Sequence, residues 1–432
     1  MSKRDQPRDL ADVGYVVADT DTSLREAAEV ASDSMVRAGV RFTGSAESTV
    51  PWLVAVRPFA LGAELYGRLE RLGGAVFALL DAAQDLYAEG NPIVRGHLDT
   101  GVPADLRGFD LDRYIEMYRL DVLVSGGMPL LTEVEEIFGN AGKAHAFELA
   151  YGVSAKPLYA AFHRLGIANI WLDDGYPMYR SENELVAQRM EEEFGVDMHI
   201  APFSKFRDDG RVGWRFCYVK EFRQYDKNLR ARILAASDRL VNPLFHGYGT
   251  KGLLSLAWDD LLEGDLTARL GEDRVATPRA GVPRSQFMPI DPTPEFIEDL
   301  KVNRRRKVLK VVDSDGVEYT WGSCGVYFGD QSAKRWGESV DAAAAGHIPG
   351  RPDLIRTRFL ISDLVESDKF DVEFLHPVTA QLCVMPGARL RLTPIFARGE
   401  SGCDLLGGHA TFVNTSRKIH LGRHAVCAPF MK

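Results

Sequence analysis

Residues 119–142, RLDVLVSGGMPLLTEVEEIFGNAG, have the pattern of a β-hairpin with charged residues near its open end. Side chains alternate between the two faces of a strand, so Arg119 and Asp121 share one face of the first strand. Glu133 and Glu135 share one face of the return strand for the same reason. If the connection is a five-residue loop, Asp121 faces Glu133 and Arg119 faces Glu135. The hairpin is therefore predicted to gather three carboxylates and one guanidinium into a net negative cluster.

Two interpretations of this cluster are open from these residues alone. Like charges placed directly opposite each other destabilise a sheet, so Asp121 against Glu133 needs a compensating partner. A divalent cation is one such partner, and Mg²⁺ takes a few carboxylate oxygens and completes its shell with water and phosphate oxygens. The alternative is a hairpin with one solvated face, where any charged residues would serve.

Composition excludes several classes of protein. The chain has 432 residues and a formal net charge of -9, which argues against nucleic-acid binding because that requires a basic face. Its five cysteines are scattered without a CxxC pair, which is typical of a reduced, cytoplasmic protein. The first residues lack the apolar core of a signal peptide, and no stretch approaches the ~18 apolar residues of a membrane span. We therefore expect a cytoplasmic protein without a membrane segment.

Residues 1–110 are predicted to form an N-terminal helical region. Apolar spacing predicts one helix over residues 22–37, and two further helices that are interrupted at Gly73-Gly74. Residues 111–245 are predicted to form a second domain, which holds the carboxylate hairpin and a βαβ unit. In this unit, the strands NIWLDD and VDMHIAPF flank a helix that is capped by Ser181 and stopped by Gly195.

Residues 246–432 are predicted to form the third domain. It opens with a loop that enters a helix, and a turn-rich stretch from Gly264 to Pro294 follows as a hinge or boundary. The remaining segments alternate as strands do, which predicts a mostly antiparallel sheet. The fold class is therefore predicted to be α/β (α+β), with a helical and βαβ N-terminal region and a C-terminal antiparallel sheet.

The order RLD and then TEVEE resembles the metal and phosphate motif of the circularly permuted ATP-grasp ligases. That family includes the glutathionylspermidine synthetases and other amino-acid or γ-glutamyl ligases, and its motif reads Arg-x-Asp followed by Glu-x-Asn. Asp121, Glu133 and Glu135 fall at the matching spacing. The departure is Glu135, where the family usually has asparagine.

Three further stretches extend the resemblance over roughly residues 115–432. VNPLFHGYGTKGLLSLAWD resembles the segment with the first ATP lysine, here Lys251, and RKVLKVV resembles the strand with the second, here Lys310. The family commonly has proline after the second lysine, whereas Val311 stands here. GSCGVYFG stands where the family has its glycine-rich phosphate loop. Each stretch also has a simpler interpretation, since a strand lysine can protect a sheet edge and a Gly-x-x-Gly can be an ordinary turn.

The resemblance implies a circularly permuted ATP-grasp fold that uses ATP and Mg²⁺ to join small amino-acid substrates through an amide bond. By resemblance, the metal ligands are Asp121, Glu133 and Glu135, and Arg119 stabilises the transferred phosphoryl group. ATP binding is assigned by resemblance to Lys251, Lys310, Gly322, Ser323 and Gly325. An acyl phosphate forms first, and an amine then attacks it with release of phosphate.

Some predictions stay open in the sequence. Arg391, which shares a strand face with Arg389, and Lys418 could bind phosphate or a substrate carboxylate, and ordinary surface charge is the equal alternative. Histidines such as His409 lack a metal-ligand spacing and are predicted to be structural. No GxSxG, HExxH or Rossmann fingerprint is present. The rival function is a nucleotide-binding protein of the same fold that no longer ligates and acts through partner contacts. The oligomeric state is open, with a homodimer as one alternative.

Overall fold

The structure is a computed structural model that describes residues 15–17, 22–37, 53–139, 141–175, 179–313, 325–354, 357–376, 381–400, 402–419 and 425–432. They form a mixed α/β (α+β) fold, as predicted. The helices are α1 Thr22–Arg37, α2 Gly62–Ala88, α3 Pro92–Leu98, α4 Ala141–Tyr151, α5 Lys156–Arg164, α6 Arg180–Phe194, α7 Lys227–Ala235, α8 Leu253–Leu256, α9 Glu263–Leu270, α10 Glu272–Gly281, α11 Pro294–Val302 and α12 Ala333–Ala344. The strands are β1 Val16–Val17, β2 Leu53–Val54, β3 Phe59–Ala60, β4 Met117–Ser125, β5 Met128–Glu135, β6 Ile167–Leu172, β7 His199–Pro202, β8 Val212–Phe216, β9 Leu240–Val241, β10 Ser285–Phe287, β11 Lys307–Asp313, β12 Val326–Phe328, β13 Arg358–Asp363, β14 Lys369–Leu375, β15 Leu382–Gly399, β16 Gly402–Val413 and β17 Val426–Met431.

The largest sheet in the described part of the chain has nine strands. Six of them lie in the order β2-β17-β16-β15-β4-β5, while β1 and β14 also pair with β15 and β3 pairs with β17. The pairs that link β14, β15, β16 and β17 are antiparallel, as predicted for the C-terminal strands, but β11, β12 and β13 belong to a separate sheet instead of the single predicted one. The hairpin β4–β5 joins this sheet through β15. The predicted division at residues 1–110, 111–245 and 246–432 stays a prediction.

The strands of two four-stranded sheets lie between β5 and β14 in the sequence. One has the antiparallel order β10-β13-β11-β12, and the other has the parallel order β7-β6-β8-β9. The predicted βαβ unit is confirmed as β6, α6 and β7, and Gly195 ends α6 with a left-handed φ of 68°. The predicted Ser181 cap is wrong, because α6 begins at Arg180 and follows Tyr179 without a side-chain cap.

The predicted break at Gly73-Gly74 is also wrong, since α2 is one helix of 27 residues. Gly73 permits a close approach to the sheet instead of ending the helix. A Cβ at Gly73 would lie 2.4 Å from Cε1 of Phe396, and the Tyr118 hydroxyl donates a hydrogen bond to the Gly73 carbonyl. The glycine is therefore required by packing against the sheet.

The stretch from Gly264 to Pro294, which was predicted to be rich in turns, holds the helices α9 and α10, and its prediction as a hinge or boundary stays a prediction. α9 and α10 pack against α2, and their apolar residues Leu266 and Val275 are buried. Burial of apolar side chains in the tertiary structure outweighs the turn preferences of this segment.

The main core lies between α2 and one face of the large sheet. The even-numbered residues Leu120, Val122 and Val124 of β4 belong to this core. Because side chains alternate along a strand, the odd-numbered residues Arg119 and Asp121 face the opposite side of the sheet. Packing of one face against α2 therefore fixes the side on which the charged residues lie.

No helix in the described ranges is long and apolar enough to cross a membrane. The described cysteines, Cys217, Cys383, Cys403 and Cys427, are free thiols, whereas Cys324 lies outside the described residues.

Gly73→Ala tests the close approach of α2 to the sheet. Alanine normally favours a helix, but here its Cβ would overlap the buried Phe396 ring, and we expect a loss of about 1–3 kcal/mol in the free energy of unfolding. Gly67→Ala is the matched control in the same helix, where the nearest atom would be 3.5 Å away and a gain of about 0.5–1 kcal/mol is expected. Urea denaturation measures both, and equal effects would contradict the packing role.

Candidate active site

The turn of the carboxylate hairpin is shorter than predicted. Ser125 pairs with Met128, so the turn is Gly126-Gly127, and both glycines have left-handed φ values of 58° and 72°. The carboxylate of Asp368 accepts hydrogen bonds from both glycine N–H groups, at 2.8 and 3.0 Å. The predicted five-residue loop is therefore wrong, and a two-residue glycine turn takes its place.

A β-bulge at Thr132 restores the predicted register of the charged residues. The register shifts between Asp121 and Val122, so that Asp121 faces Glu133 and Arg119 faces Glu135. The Thr132 hydroxyl donates a hydrogen bond of 2.9 Å to the Asp121 carbonyl. The cross-strand pairs that the sequence predicted are therefore confirmed, although the loop on which that prediction rested is not.

Three cations from distant segments balance the hairpin carboxylates. Arg391 Nη1 lies 2.7 Å from Asp121 Oδ2, and Lys251 Nζ lies 2.8 Å from Glu133 Oε1. Lys310 Nζ donates to the Thr132 carbonyl at 3.1 Å. The protein therefore supplies compensating cations from its own chain, and the assignment of Asp121, Glu133 and Glu135 as metal ligands stays a prediction.

Glu135 has a different environment from the other two carboxylates. Its side chain accepts a hydrogen bond from the Tyr218 hydroxyl, and Arg119 Nη2 lies 3.4 Å from its Oε1. Burial raises the pKa of Glu135 to about 8, and the Glu133 and Asp121 carboxylates add to the rise against the opposing effect of Arg119. Glu135 therefore keeps its proton to a higher pH than an ordinary glutamic acid does.

The hairpin carboxylates and the two lysines change each other's pKa values. Lys310 lies on β11, and burial lowers the pKa of its ammonium group to about 8. The nearby Lys251 lowers this pKa further, whereas Glu133 opposes the change. Burial disfavours the charged form of Glu133, but Lys251 outweighs this effect, with a further contribution from Lys310, and lowers the pKa of Glu133. The charge of each of the two lysines and of Glu133 therefore affects the other two groups.

A cleft of about 260 Å³ lies between the hairpin and the four-stranded sheet that contains β11. The predicted site residues that line it are Arg119, Asp121, Glu133, Glu135, Lys251, Lys310, Arg391 and Lys418. Apolar residues of β11, β12 and the segment after β13 form another part of its lining: Val308, Val326, Phe328, Leu364 and Val365. Charged and apolar surfaces therefore meet in one space.

The predicted glycine loop is only partly within the described residues. Gly322 and Ser323 lie outside them. Gly325 directly precedes β12, and its carbonyl accepts a hydrogen bond of 2.8 Å from the Val311 amide. Gly325 therefore begins the return strand of a hairpin with β11.

Sequence reasoning missed Arg417, which lines the same cleft. Arg417 lies 3.1 Å from Asp330 and 2.7 Å from Glu366, so it bridges the segments after β12 and β13. Tyr179 and Tyr218, which adjoin Glu135, were also missed. Their positions depend on tertiary contacts, and no periodicity in the sequence indicates them.

Two of the three hairpin carboxylates have the surroundings that a Mg²⁺ ligand needs. Asp121 Oδ1 is buried without a hydrogen-bond partner, and Glu133 lies directly across the strand pair from it. Mg²⁺ is usually held by one or two carboxylates together with water and phosphate, so Asp121 and Glu133 fit this ion. Glu135 fits less well because Tyr218 and Arg119 already hold its oxygens.

A second group of metal-binding residue types lies elsewhere. Within the described ranges, Asp173, Cys217 and Glu221 place one potential ligand atom each within 4.8 Å of one another, and the hairpin carboxylates do not form such a group. Asp173 accepts hydrogen bonds from Cys217, Gln224 and Tyr225. The group is thus a satisfied polar network.

Comparisons with known proteins indicate the fold. No protein-family model and no curated protein matches the chain. Among solved structures, it resembles a glutathione synthetase-like effector from Globodera pallida with a TM-score of 0.58 and 12% identity, over 95% of this chain and 97% of that one. A protein assigned as a gamma-glutamylcysteine synthetase from Methylobacillus flagellatus gives a TM-score of 0.44 and 10% identity over 84% and 88%, too low to support an argument. The chain therefore shares the fold of the Globodera pallida protein.

Glu135→Gln tests the raised pKa of Glu135 in metal-free buffer. The folded protein holds this proton up to about pH 8, whereas the unfolded chain releases it near its ordinary pKa of 4.5. Since the unfolded state binds fewer protons between these values, wild-type stability should fall as pH rises, by up to about 1.4 kcal/mol per pH unit relative to Glu135→Gln. Urea unfolding of both proteins from pH 5 to 8 measures this difference, and parallel curves would contradict it.

Proposed function

We propose that the protein is an ATP-dependent carboxylate–amine ligase of the circularly permuted ATP-grasp type. It joins small amino-acid substrates through an amide bond and releases ADP and phosphate. The observation that supports this function is the meeting of Lys251 and Lys310 with the Asp121–Glu133 pair in one cleft. These residues come from three separate segments of the chain, each of which resembles the corresponding family motif.

The cleft offers ATP a charged part and an apolar part. Lys251 and Lys310 supply positive charge for the phosphates, and both lie beside Glu133. The apolar side chains of Val308, Val326 and Phe328 offer a surface for the base. ATP binding with its phosphates toward the hairpin satisfies both parts at once.

Asp121 and Glu133 would hold Mg²⁺, which neutralises charge on the phosphates. When phosphates enter, Lys251 and Arg391 can turn from these carboxylates to the phosphate oxygens. The carboxylates are then free for the ion. Before ATP binds, the ion pairs with Lys251 and Arg391 therefore keep the carboxylates charged and in place.

In the proposed reaction, a substrate carboxylate oxygen attacks the γ-phosphorus of ATP, and the bond to the ADP oxygen breaks. The amine then attacks the acyl phosphate carbon, phosphate leaves, and the amine loses a proton. Positioning and charge stabilisation account for most catalysis of phosphoryl transfer. Arg119 and Arg391 line the cleft beside Asp121 and would stabilise the negative charge of the transferred group.

The rival function is nucleotide binding without ligation. It is favoured by one observation: Glu135 stands where the family usually has asparagine, and its side chain is engaged by Tyr218 and Arg119. A protein with this arrangement would bind ATP through the same lysines but form no product. ATP binding tests the site, and turnover separates the two functions.

Lys310→Met tests nucleotide binding. Removing a charge-assisted contact to phosphate should weaken ATP affinity about 10-fold or more in isothermal titration calorimetry. Lys307→Met is the matched control on the same strand, where the lysine pairs with Asp363 at 2.6 Å, and its affinity should stay within about 2-fold of wild type. Equal losses in the two variants, or wild-type protein without ATP binding, would contradict the assigned site.

Asp121→Asn and Glu133→Gln test ligation. Wild-type protein with ATP, Mg²⁺, pooled amino acids and hydroxylamine should release ADP and form a hydroxamate, and each variant should lower the rate by at least ~100-fold because metal binding is lost. Asp404→Asn, in an exposed carboxylate of β16 outside the cleft, is the control that should retain activity. Tight ATP binding without ADP release would favour the rival function, and release of AMP would contradict the acyl-phosphate route.

A further inference from the structure

Three arginines of the cleft each leave a buried hydrogen-bond donor without an acceptor. Arg119 lies on β4, whereas Arg389 and Arg391 lie on β15, and all three line the cleft of about 260 Å³. The Nε–H group of each is buried and has no hydrogen-bond partner within the described structure. Buried donors are nearly always paired, and leaving one unpaired costs about 1–3 kcal/mol. These arginines therefore offer donors to an anionic ligand of the cleft.

Arg389 differs from the other arginines of the cleft because it lacks a carboxylate partner. Arg119, Arg391 and Arg417 each form an ion pair with a carboxylate. The side chain of Arg389 forms neither an ion pair nor a hydrogen bond with any of the described residues. The positive charge of Arg389 is therefore left for a ligand to match.

The neighbour of Arg389 in the sheet has the same charge. Lys369 of β14 lies directly opposite Arg389, and the next pair, Phe370 and Ala388, belongs to the main core. Because side chains alternate along a strand, Lys369 and Arg389 both point away from that core, toward the face of the cleft. Like charges directly opposite each other destabilise a sheet. A bound anion would relieve this repulsion.

The position of Arg389 separates it from the lysines that are proposed to bind the phosphates. Lys251 and Lys310 contact β5, which lies last in the strand order β15-β4-β5. Neighbouring strands lie about 4.8 Å apart, so Arg389 on β15 is on the order of 10 Å across the sheet from β5. Asp121 of β4 lies between them. Phosphates bound beside β5 would leave the arginine side of the cleft to the substrate that is phosphorylated.

The spacing along β15 indicates the size of that substrate. Arg391 pairs with Asp121, where phosphoryl transfer is proposed. Arg389 lies two residues away on the same strand face, at a distance of about 6.5–7 Å along the strand. A short amino acid with two carboxylates can place one beside Asp121 and the other at Arg389. A longer substrate is not needed to reach both positions.

We propose that Arg389 binds the non-reacting carboxylate of an acidic amino acid whose other carboxylate is phosphorylated. This inference rests on the proposed function and deepens it, because it names the class of the carboxylate substrate and the residue that selects it. The fork of a guanidinium matches a carboxylate with two parallel hydrogen bonds. An amide in place of this carboxylate would leave the charge of Arg389 unmatched, so the site discriminates against it.

Calorimetry tests this recognition directly. Full-length protein with Mg²⁺ and a non-hydrolysable ATP analogue is titrated with L-glutamate, L-aspartate, and the α-amide and side-chain amide of each. Wild-type protein should bind at least one of the two acids about 10-fold more tightly than either of its amides. Arg389→Gln should weaken binding of that acid about 10-fold and abolish the preference over one amide, the one that lacks the carboxylate held by Arg389.

Matched variants separate recognition from folding. Arg389→Lys keeps the charge and should retain the preference for the acid, with a several-fold lower affinity because the guanidinium fork is lost. Arg305→Gln removes an exposed arginine outside the cleft lining, and the affinity for the acid should stay within about 2-fold of wild type. Arg389→Gln should unfold at the same or a higher urea concentration than wild type, since the repulsion with Lys369 is removed. A purely structural arginine would show the opposite shift.

Three results would overturn the inference. They are the failure of both acids to bind wild-type protein, unchanged affinity for the acid in Arg389→Gln, and a loss of ATP-analogue affinity in this variant, which would assign Arg389 to a phosphate. Hydroxylamine replaces the amine substrate in the hydroxamate assay. An effect of Arg389→Gln that appears only with an amino-acid amine would therefore assign Arg389 to the amine substrate and also contradict the inference.

Failure of the proposed function has a different signature. Binding of the acid that depends on Arg389, without ADP release, would retain Arg389 as a carboxylate site and reject ligation. ADP release and hydroxamate formation that are unaffected by Arg389→Gln would retain ligation and reject the role of Arg389.

Discussion

The bulge at Thr132 is the constraint on which the site depends. The two-residue glycine turn by itself would set Asp121 opposite Thr132 and send Glu133 to the other face of the hairpin, because a one-residue slip reverses every side chain. The extra residue of the bulge returns Glu133 to the side of Asp121. The carbonyl of Thr132 then accepts the hydrogen bond from Lys310, so the same bulge also contacts the second sheet.

The second constraint is charge balance. Carboxylates packed on one sheet face are stable here because Lys251 and Arg391 form direct ion pairs with Glu133 and Asp121. A buried charge without a partner is strongly disfavoured. The cations therefore determine whether the carboxylates of the hairpin can remain ionised. In the proposed ligase, the same cations also bind the phosphates of ATP. One set of side chains thus serves both stability and ligand binding.

Local sequence patterns predicted much of the fold, but they did not predict where burial would outweigh a turn signal. Helix α1, the βαβ unit and the antiparallel pairing of the C-terminal strands follow from periodicity and were predicted correctly. The predicted break at Gly73 was wrong, and the stretch after Gly264 that was predicted to be rich in turns holds two helices. In both places a signal that usually means a turn is outweighed by burial, since Gly73 lies against Phe396 and the helices after Gly264 bury their apolar sides on α2.

The sequence by itself determined which charges share a strand face, because alternation along β4 and β5 is a local property of the backbone. It therefore predicted the pairing of Asp121 with Glu133. Only the tertiary structure decided which cations meet them, since Arg391 lies 270 residues from Asp121 in the chain and arrives through β15. Contact between such distant segments is set by packing, which no short-range pattern encodes.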